Sequence, residues 1–440
     1  MTDEQQLIDY VTQQRWFGSK ARVVVHAHVI DSAVLREADP RYLISLVEIA
    51  FDTGVHETYQ LPQREDGLDG LADPGLAREL VHAMRGGLTL PANEGVLEFR
   101  PLEGFAGLGT ELTAARPIES EQSNSSIVFD DELILKVFRR LEAGINPELE
   151  LLRFLTERGF PNIAALGGWY AYAGRPMDAT LGVLQEFIRG GEDGWDLALD
   201  ELGEGPERFI GRLRRLGEVT GRMHTVLASD ASDPNFAPEE PSGEALGLLT
   251  ATVDEEIEQI FLELPPDNEA LDPILGRGEE VREQLRMLTH IGPVGRVIRH
   301  HGDFHLGQTM WAGEDWVILD FEGEPARSLA ERRRKRSPLR DVAGMLRSFA
   351  YAATAAELLR GASTPEGWEE QARSQFLEGY LDTADPALLP SGQVALDRLL
   401  AVFELEKAVY ELRYELNNRP DWVRIPVAGI QRLIEEPLPA

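Results

Sequence analysis

Arg299-His300-His301-Gly302-Asp303-Phe304-His305-Leu306-Gly307-Gln308, followed by Ile318-Leu319-Asp320-Phe321-Glu322, spaces its carboxylates and amide as phosphoryl transfer requires. Asp303 can accept the proton of an attacking hydroxyl. The amide of Gln308 and the carboxylate of Asp320 can hold magnesium, which takes hard oxygen ligands and keeps several waters. Glu322 adds a third candidate ligand. Read as His301-x-Asp303-x-His305, the same segment could instead serve a metal hydrolase. Zinc sites need several neutral histidines or thiolates. This chain has no Cys and 9 His, and His26, His28, His56 and His82 all fall near its start. That reading also leaves Lys136 and Asp320 without a task.

A phosphoryl donor needs groups that hold its phosphates and base. Glu119-Ser120-Glu121-Gln122-Ser123-Asn124-Ser125-Ser126 lies between strand-like runs. Its small polar residues, Ser123, Asn124 and Ser125 above all, let backbone amides approach a phosphate. Lys136 interrupts the apolar run Leu133–Phe138, and a lysine inside a buried strand needs a partner. A helix starting at Pro147 supplies Glu148 and Glu150; Glu150 is favoured, with Glu148 close behind. The alternative is a lysine snorkelling from an edge strand. In Leu181–Ile188, the backbone of Gln185, Glu186 and Phe187 is placed to read an adenine edge before Gly190-Gly191 breaks the chain.

Protein kinases perform these tasks with H-R-D-x-x-x-x-N and D-F-G. Here Gly302 replaces the Arg, Gln308 the Asn, and Glu322 stands where the second motif has Gly. These departures resemble the aminoglycoside-phosphotransferase superfamily of small-molecule kinases. Longer strings are similar to those of the actinobacterial maltokinases: Gln14-Arg15-Trp16-Phe17-Gly18-Ser19-Lys20, Asp320–Pro325 with Ser337–Met345, and Tyr414–Trp422. The resemblance runs nearly end to end. It implies an α+β, bilobal protein-kinase-like (aminoglycoside-phosphotransferase-like) fold with an extra N-terminal α/β cap. It further implies ATP as donor with Mg2+, maltose as acceptor, maltose 1-phosphate feeding α-glucan synthesis, and a functional link to a trehalose synthase. Residue types and spacing alone imply only a magnesium-dependent small-molecule kinase. A glucosamine or aminoglycoside kinase is the rival, and a catalytically dead binding module is disfavoured because Lys136, Asp303 and Asp320 are all present.

These residues need elements to carry them. The division expected is a cap over residues 1–90, a β-rich ATP-binding lobe over 91–189 and a helical catalytic lobe over 190–440. Helices are expected over 3–14, 76–85, from Pro147, and over 206–227, 242–264, 273–288, 367–383, 393–418 and 426–435, with another running to Leu359. Strands are expected over 22–35, 42–51, 57–63, 96–100, 112–117, 126–129, 133–137 and 179–188, with a hairpin over 307–319. His224 reads as a packed core histidine. Asp341 is placed to cap its helix and bridge to the Asp303 loop. The basic run Arg332–Arg336 is either a solvated loop or a set of arginines beside the phosphates. On the last long helix, Lys407, Glu411, Tyr414 and Asn418 share a face. With His305 and the ring of Trp422, the acid, phenol and amide of Glu411, Tyr414 and Asn418 form the candidate acceptor site, because sugar hydroxyls need donors, acceptors and an apolar face. A solvated helix face is the plainer alternative.

The 440 residues, 43% hydrophobic and 27% charged, suffice for two or three domains. A net charge of −33 argues against nucleic acid or an anionic membrane as partner. The absence of cysteine excludes disulfides and thiolate chemistry. The acidic start and the lack of a long apolar run lead to the expectation of a cytoplasmic protein without a signal peptide.

Overall fold

The computed structural model describes residues 4–435 apart from 66, 68, 104, 106–111, 119–122, 243 and 289–293. The chain divides into two compact units, Met1–Gly190 with Arg327–Leu329, and Gly191–Ala326 with Ala330–Ala440.

In the first unit, α1 (Glu4–Gln13) points Leu7 and Val11 inward at helical spacing. They pack with Trp16 and Phe17 onto Val47, Ile49, Phe51, Tyr59 and Leu61. Those residues belong to an antiparallel meander of β1 (Val24–Arg36), β2 (Tyr42–Phe51) and β3 (His56–Arg64). Helix α2 (Pro74–Arg85) starts where the Asp73 side chain accepts the Gly75 N–H, and it buries Leu76, Leu80, Val81 and Met84. Next come β4 (Thr89–Pro91), β5 (Gly95–Pro101), β6 (Ala115–Ile118), β7 (Asn124–Phe129), β8 (Leu133–Phe138), β9 (Arg140–Leu141), α3 (Pro147–Glu157), β10 (Leu166–Gly174) and β11 (Asp178–Glu186). One sheet has the order β1-β2-β3-β9 and the other β4-β5-β10-β11-β8-β7-β6.

The chain leaves one sheet and enters the other at Arg139, between β8 and β9. There Gln60, fully buried, joins the two sheets. Its amide donates to the carbonyls of Phe138, at 2.7 Å, and Leu181, and its oxygen accepts from the Tyr170 hydroxyl at 3.0 Å. A buried amide is tolerable only when satisfied in this way.

The remaining elements, in chain order, are β12 (Glu192–Asp193), α4 (Gly194–Glu204), α5 (Pro206–Leu227), α6 (Ala245–Glu263), α7 (Gly278–Leu288), β13 (Thr309–Ala312), β14 (Asp315–Ile318), α8 (Leu329–Arg332), α9 (Leu339–Arg360), α10 (Trp368–Thr383), α11 (Gln393–Asn418) and α12 (Arg424–Glu435). In the second unit α5 and α10 approach closely through glycines. A Cβ at Gly217 would lie 2.0 Å from the Phe376 carbonyl oxygen, and one at Gly379 2.0 Å from that of Arg214. Strands β13 and β14 form a hairpin, with β12 paired to β13.

Several sequence expectations change, among them that the helix expected over 273–288 is Gly278–Leu288 and the strand expected over 112–117 is Ala115–Ile118. Strand β10 is additional; its Gly167 and Gly168 dilute strand propensity, yet Tyr170 and Tyr172 are buried. Strand β7 starts at Asn124 rather than at residue 126. The break expected at Gly190-Gly191 is short, because Glu192 and Asp193 already pair with Trp311 and Met310.

Candidate active site

Lys136 sits in β8, across from Ser126 on β7 and Val183 on β11. Its ammonium lies 2.6 Å from Glu148 Oε2, with side-chain exposures of 12% and 3%. The favoured partner Glu150 is thus replaced by Glu148. Asn146 caps α3 through a bond from the Glu148 N–H, which puts Glu148 in the first helical turn, where the macrodipole favours a carboxylate. Glu150 lies two residues on, about 200° around the helix. The second Glu148 oxygen accepts from Gln185 Nε2 at 3.0 Å, so a lysine, an acid and an amide form a connected buried set. Ser126 shares a sheet face with Lys136, and among the described residues its buried hydroxyl has no partner. That donor was missed as a site residue because a strand serine looks ordinary in sequence.

The expected phosphate loop is displaced. Glu119, Ser120, Glu121 and Gln122 lie outside the described residues. Asn124 and Ser125 are in β7, not in a loop, and the Ser125 hydroxyl accepts from Arg139 Nε at 2.8 Å. Ser123 alone precedes the strand. At the end of β11, the Glu186 and Phe187 N–H groups are already given to the carbonyls of Ala165 and Glu132, at 2.9 and 2.8 Å. The Gln185 side chain is given to Glu148. Among the described residues, the N–H of Ile188 has no protein partner, which adds an open donor next to the expected 185–187.

In the second unit the Asp303 loop is held from beneath by one buried carboxylate. Asp341 accepts from the backbone N–H of His301 at 2.8 Å and of Gly302 at 2.9 Å. Its third contact is His224 Nε2 at 3.0 Å, and His224 Nδ1 meets the Tyr380 hydroxyl at 3.1 Å. Burial opposes charge on Asp341, yet the neighbouring imidazoles and these bonds hold its carboxyl well below the usual range. The expected bridge from Asp341 is present, but α9 has Pro338 at its cap and no side-chain cap bond. Gly302 has φ +89°, a conformation open to glycine, so the turn before Asp303 suits no other residue well.

His301 completes the support. Its Nε2 lies 2.9 Å from the Leu319 carbonyl, which can only accept, so Nε2 carries the proton. Nδ1 is then free to accept the Asp303 N–H at 3.4 Å. The ring packs against Phe304 and Phe321, with centroids 5.2 and 4.9 Å away. One imidazole thereby ties the Asp303 turn to the Leu319-Asp320 segment. His300 is buried, and burial pushes its imidazole down to about 3.

Lys407, on α11, lies 3.4 Å from Asp303 Oδ1 and 3.1 Å from Glu324 Oε1. Burial works against its charge, but the Asp303 and Glu324 carboxylates outweigh it and raise the ammonium above its ordinary range. His305 Nε2 is 3.9 Å from Asp303 Oδ2; burial lowers this imidazole by more than Asp303 raises it. Lys407 was legible as a helix-face cation, but not as the partner of Asp303.

Gln308 Nε2 donates to Asp320 Oδ2 at 3.2 Å. Asp320 adopts φ +57°, a left-handed conformation costing about 1 kcal/mol or more for a non-glycine residue. Fully buried Phe321 fixes the next position. A carboxylate oxygen of Asp320 lies within 4.8 Å of one from Glu322. An amide and two carboxylates at this spacing form a hard oxygen donor set that fits magnesium.

Three residues of the basic run make bonds within the second unit. Arg332 Nη1 donates to the Glu322 carbonyl at 3.1 Å, Lys335 reaches Glu239 and the Pro234 carbonyl, and Arg336 bridges Ile298. The candidate acceptor face of α11 divides. Glu411 is buried and its Oε2 accepts from Arg347 Nη2 at 2.7 Å and Nε at 3.1 Å, so it is not the open acid expected. Glu404 pairs with Arg373, and Glu406 with Arg340. Tyr414 and Asn418 are exposed, and Asn418 donates to the Tyr414 carbonyl. Trp422 stacks on Tyr351 at 6.3 Å under the Arg419 guanidinium. Among the described residues no bond or ring contact joins Tyr414, Asn418 or Trp422 to Asp303.

Residues 114–373 match the phosphotransferase enzyme family, more than half of the chain, and the chain belongs to that family. Residues 10–90 match the maltokinase N-terminal cap domain. The fold is therefore a mixed α+β, kinase-like phosphotransferase fold with an N-terminal cap. The chain is similar to a glucosamine kinase of Streptacidiphilus jiangxiensis, 26% identical over 351 residues, 77% of each chain. It is also similar to a glucosamine kinase of Mycolicibacterium smegmatis, 26% identical over 333 residues, covering 73% of this chain and 80% of the relative. A solved structure of a glucosamine kinase in complex with glucosamine, ADP and inorganic phosphate shares the fold, with TM-score 0.74 and 20% identity over 98% of this chain and 99% of the other. Among the described residues no helix is long and apolar enough to cross a membrane.

Proposed function

We propose that this phosphotransferase moves the γ-phosphoryl group of ATP to the anomeric hydroxyl of maltose. The product, maltose 1-phosphate, feeds α-glucan synthesis in functional company with a trehalose synthase. The observation that carries the neutral acceptor is the Arg347–Glu411 pair at 2.7 Å. With Glu411 neutralised by Arg347, and Lys407 shared between Asp303 and Glu324, α11 itself presents little open acid to an acceptor. A cationic aminosugar gains little from such a surface, whereas a neutral disaccharide needs hydroxyl partners and a ring to stack on. The match of residues 10–90 to the maltokinase cap supports the same acceptor.

In this reading Asp303 accepts the proton as the sugar oxygen bonds to phosphorus and the bond to the ADP oxygen breaks. Lys407 holds the Asp303 carboxylate in position, and Asp341 fixes the turn that carries it. Lys136, oriented by Glu148 and Gln185, takes the charge of the donor's α- and β-phosphates. Ser123, with the backbone at Asn124 and Ser125, lies beside those phosphates, and Ile188 reads the adenine edge. Gln308, Asp320 and Glu322 would hold magnesium, which supplies electrostatic stabilisation of phosphate charge when bound. His305, Tyr414, Asn418 and Trp422 are the proposed acceptor contacts, with Glu411 supporting them through Arg347.

A second reading, glucosamine as acceptor, is favoured by the names of both curated relatives. The test is ATP-dependent phosphorylation of maltose, glucosamine and kanamycin, with the product position assigned by NMR and KM followed against ionic strength. Phosphorylation of maltose at its anomeric position with a salt-insensitive KM is expected. Turnover of glucosamine with none of maltose sinks the acceptor assignment; no turnover of any sugar sinks the activity itself.

A further inference from the structure

His26, His28 and His56 share one face of the first sheet, and none of the preceding roles uses them. His26 on β1 stands opposite Ala50 on β2, and Ala50 stands opposite His56 on β3. One row along, His28 on β1 stands opposite Glu48 on β2. Residues opposite one another, or two apart on a strand, point to the same side of a sheet. The other side carries Ala27, Val47, Ile49 and Tyr59, in the core with Leu7 and Val11 of α1. The histidines are thus turned away from that core, and their side chains are 73%, 59% and 55% exposed for His26, His28 and His56.

The spacing on this face is that of a ligand set. Glu48 Oε1 lies 3.8 Å from His28 Nε2 and 3.2 Å from His56 Nδ1. Atoms bound tetrahedrally to one zinc ion at about 2.0–2.1 Å sit roughly 3.3 Å from one another. Each of these two imidazoles therefore already stands near ligand spacing from the carboxylate. The two rings flank the Glu48 oxygen, and rotation between staggered wells draws them together without disturbing packing, because both are more than half exposed. Ala50 separates His26 from His56 in their row and contributes only a methyl group there.

His26 also has a carboxylate behind it. Glu4 Oε1 lies 3.0 Å from His26 Nδ1 and accepts the Ala27 N–H at 3.3 Å. The bond from His26, followed by that from Ala27, holds the Glu4 carboxyl below its ordinary range. A carboxylate can only accept, so in the neutral imidazole Nδ1 carries the proton and Nε2 keeps its lone pair. A carboxylate that fixes the tautomer from behind is the usual support of a metal-bound histidine.

We propose that His26, His28, Glu48 and His56 form a binding site for a divalent transition-metal ion, with zinc the ion suited to three imidazoles and one carboxylate. Magnesium does not compete, because it takes oxygen ligands in near-octahedral geometry. The ion ties β1 to β3 across β2 and, through Glu4, ties the start of α1 to the same point. An ion bound only by the folded sheet stabilises it.

The experiment is isothermal titration calorimetry with zinc chloride on the full chain, free of any affinity tag, in a non-chelating buffer with magnesium in excess to occupy the hard oxygen donors. Saturable binding of one zinc ion per chain is expected at this site. His28→Gln and His56→Gln, both at exposed positions, should each weaken it at least about 10-fold, the smallest loss usual even for a supporting partner. Glu4→Gln should weaken it by about 10–100-fold as such a partner. His82→Gln, on α2 and outside the set, should leave it unchanged. In thermal unfolding, zinc should raise Tm of the wild type more than that of the His28→Gln, His56→Gln double variant. The absence of saturable zinc binding overturns the proposal. So does binding that the double variant leaves unchanged, a loss shared equally by His82→Gln, or an equal zinc response of Tm in wild type and double variant.

Discussion

His300 makes the acid stability of this protein calculable. It is 6% exposed, directly precedes the His301-Gly302-Asp303 turn, and is pushed by burial to about 3. In an unfolded chain its imidazole titrates near ~6.5. Above that pH neither state binds the proton, so the group has no effect on the pH dependence. Below it the unfolded state binds a proton that the folded state refuses, so stability falls as pH falls. The slope is about 1.4 kcal/mol per pH unit until the folded value is reached. Between pH 7.5 and 4.5 the loss is on the order of 3 kcal/mol, a large share of a typical total of roughly 5–15 kcal/mol. His300→Gln removes the titrating group and keeps a polar side chain of similar length. Urea unfolding followed by near-ultraviolet circular dichroism, at intervals from pH 7.5 to 4.5, measures both proteins. At pH 7.5 the variant is expected to be the less stable, because its amide is buried where an imidazole fitted. The gap should then close by an amount on the order of 3 kcal/mol on acidification, since only the wild type loses this contribution. Parallel pH profiles for the two proteins would refute the reasoning, because they would mean that His300 takes up no differential proton.

Asp303→Asn keeps the shape of the side chain but cannot accept the proton, so kcat should fall about 10²–10⁴-fold with ADP affinity nearly unchanged. Retention of more than about a tenth of wild-type kcat would remove Asp303 from the role of base. Asp320→Asn leaves Gln308 facing an amide and should abolish turnover, with excess magnesium restoring little; an unaltered magnesium dependence places the metal elsewhere. Lys136→Ala removes the ammonium that Glu148 meets at 2.6 Å and should raise KM for ATP and lower kcat, measured by a coupled assay. A change confined to melting temperature makes the lysine structural.

The fold was legible wherever periodicity and punctuation agreed. Helix α11 was expected over 393–418 and runs over those residues, because its apolar positions recur without a glycine or proline. The β13–β14 hairpin follows from Gly313-Glu314 between two apolar runs, and both residues have positive φ. Strand β10 was not legible, because its glycines lower propensity while serving tight packing. A Cβ on Gly168 would lie 2.8 Å from the Arg100 carbonyl oxygen. Such a requirement is set by the neighbouring strand, β5, and leaves no local signal.

The site was legible where chemistry is encoded by a backbone turn and was not where it is encoded by distant charge pairing. Gly302 and Asp303 stand together in sequence, and the turn they make is local. By contrast, whether Glu411 is an open acid or a neutralised one depends on Arg347, on α9, which no spacing within α11 reveals. The acids of α11 look like a solvated or ligand-binding face when read at helical spacing. In the fold, Glu404, Glu406 and Glu411 each meet an arginine from α9 or α10. Leaving one of these buried carboxylates without its cation costs about 3–5 kcal/mol, whereas the intact pair is close to neutral in stability. The pairs therefore fix how α11 packs rather than how tightly the protein folds. Lys407 extends the same arrangement to Asp303, so the helix that bears Tyr414 and Asn418 also holds the proposed base. A displacement of α11 would move base and acceptor contacts together, which couples kcat and KM for the sugar in any variant that breaks the Arg347–Glu411 pair.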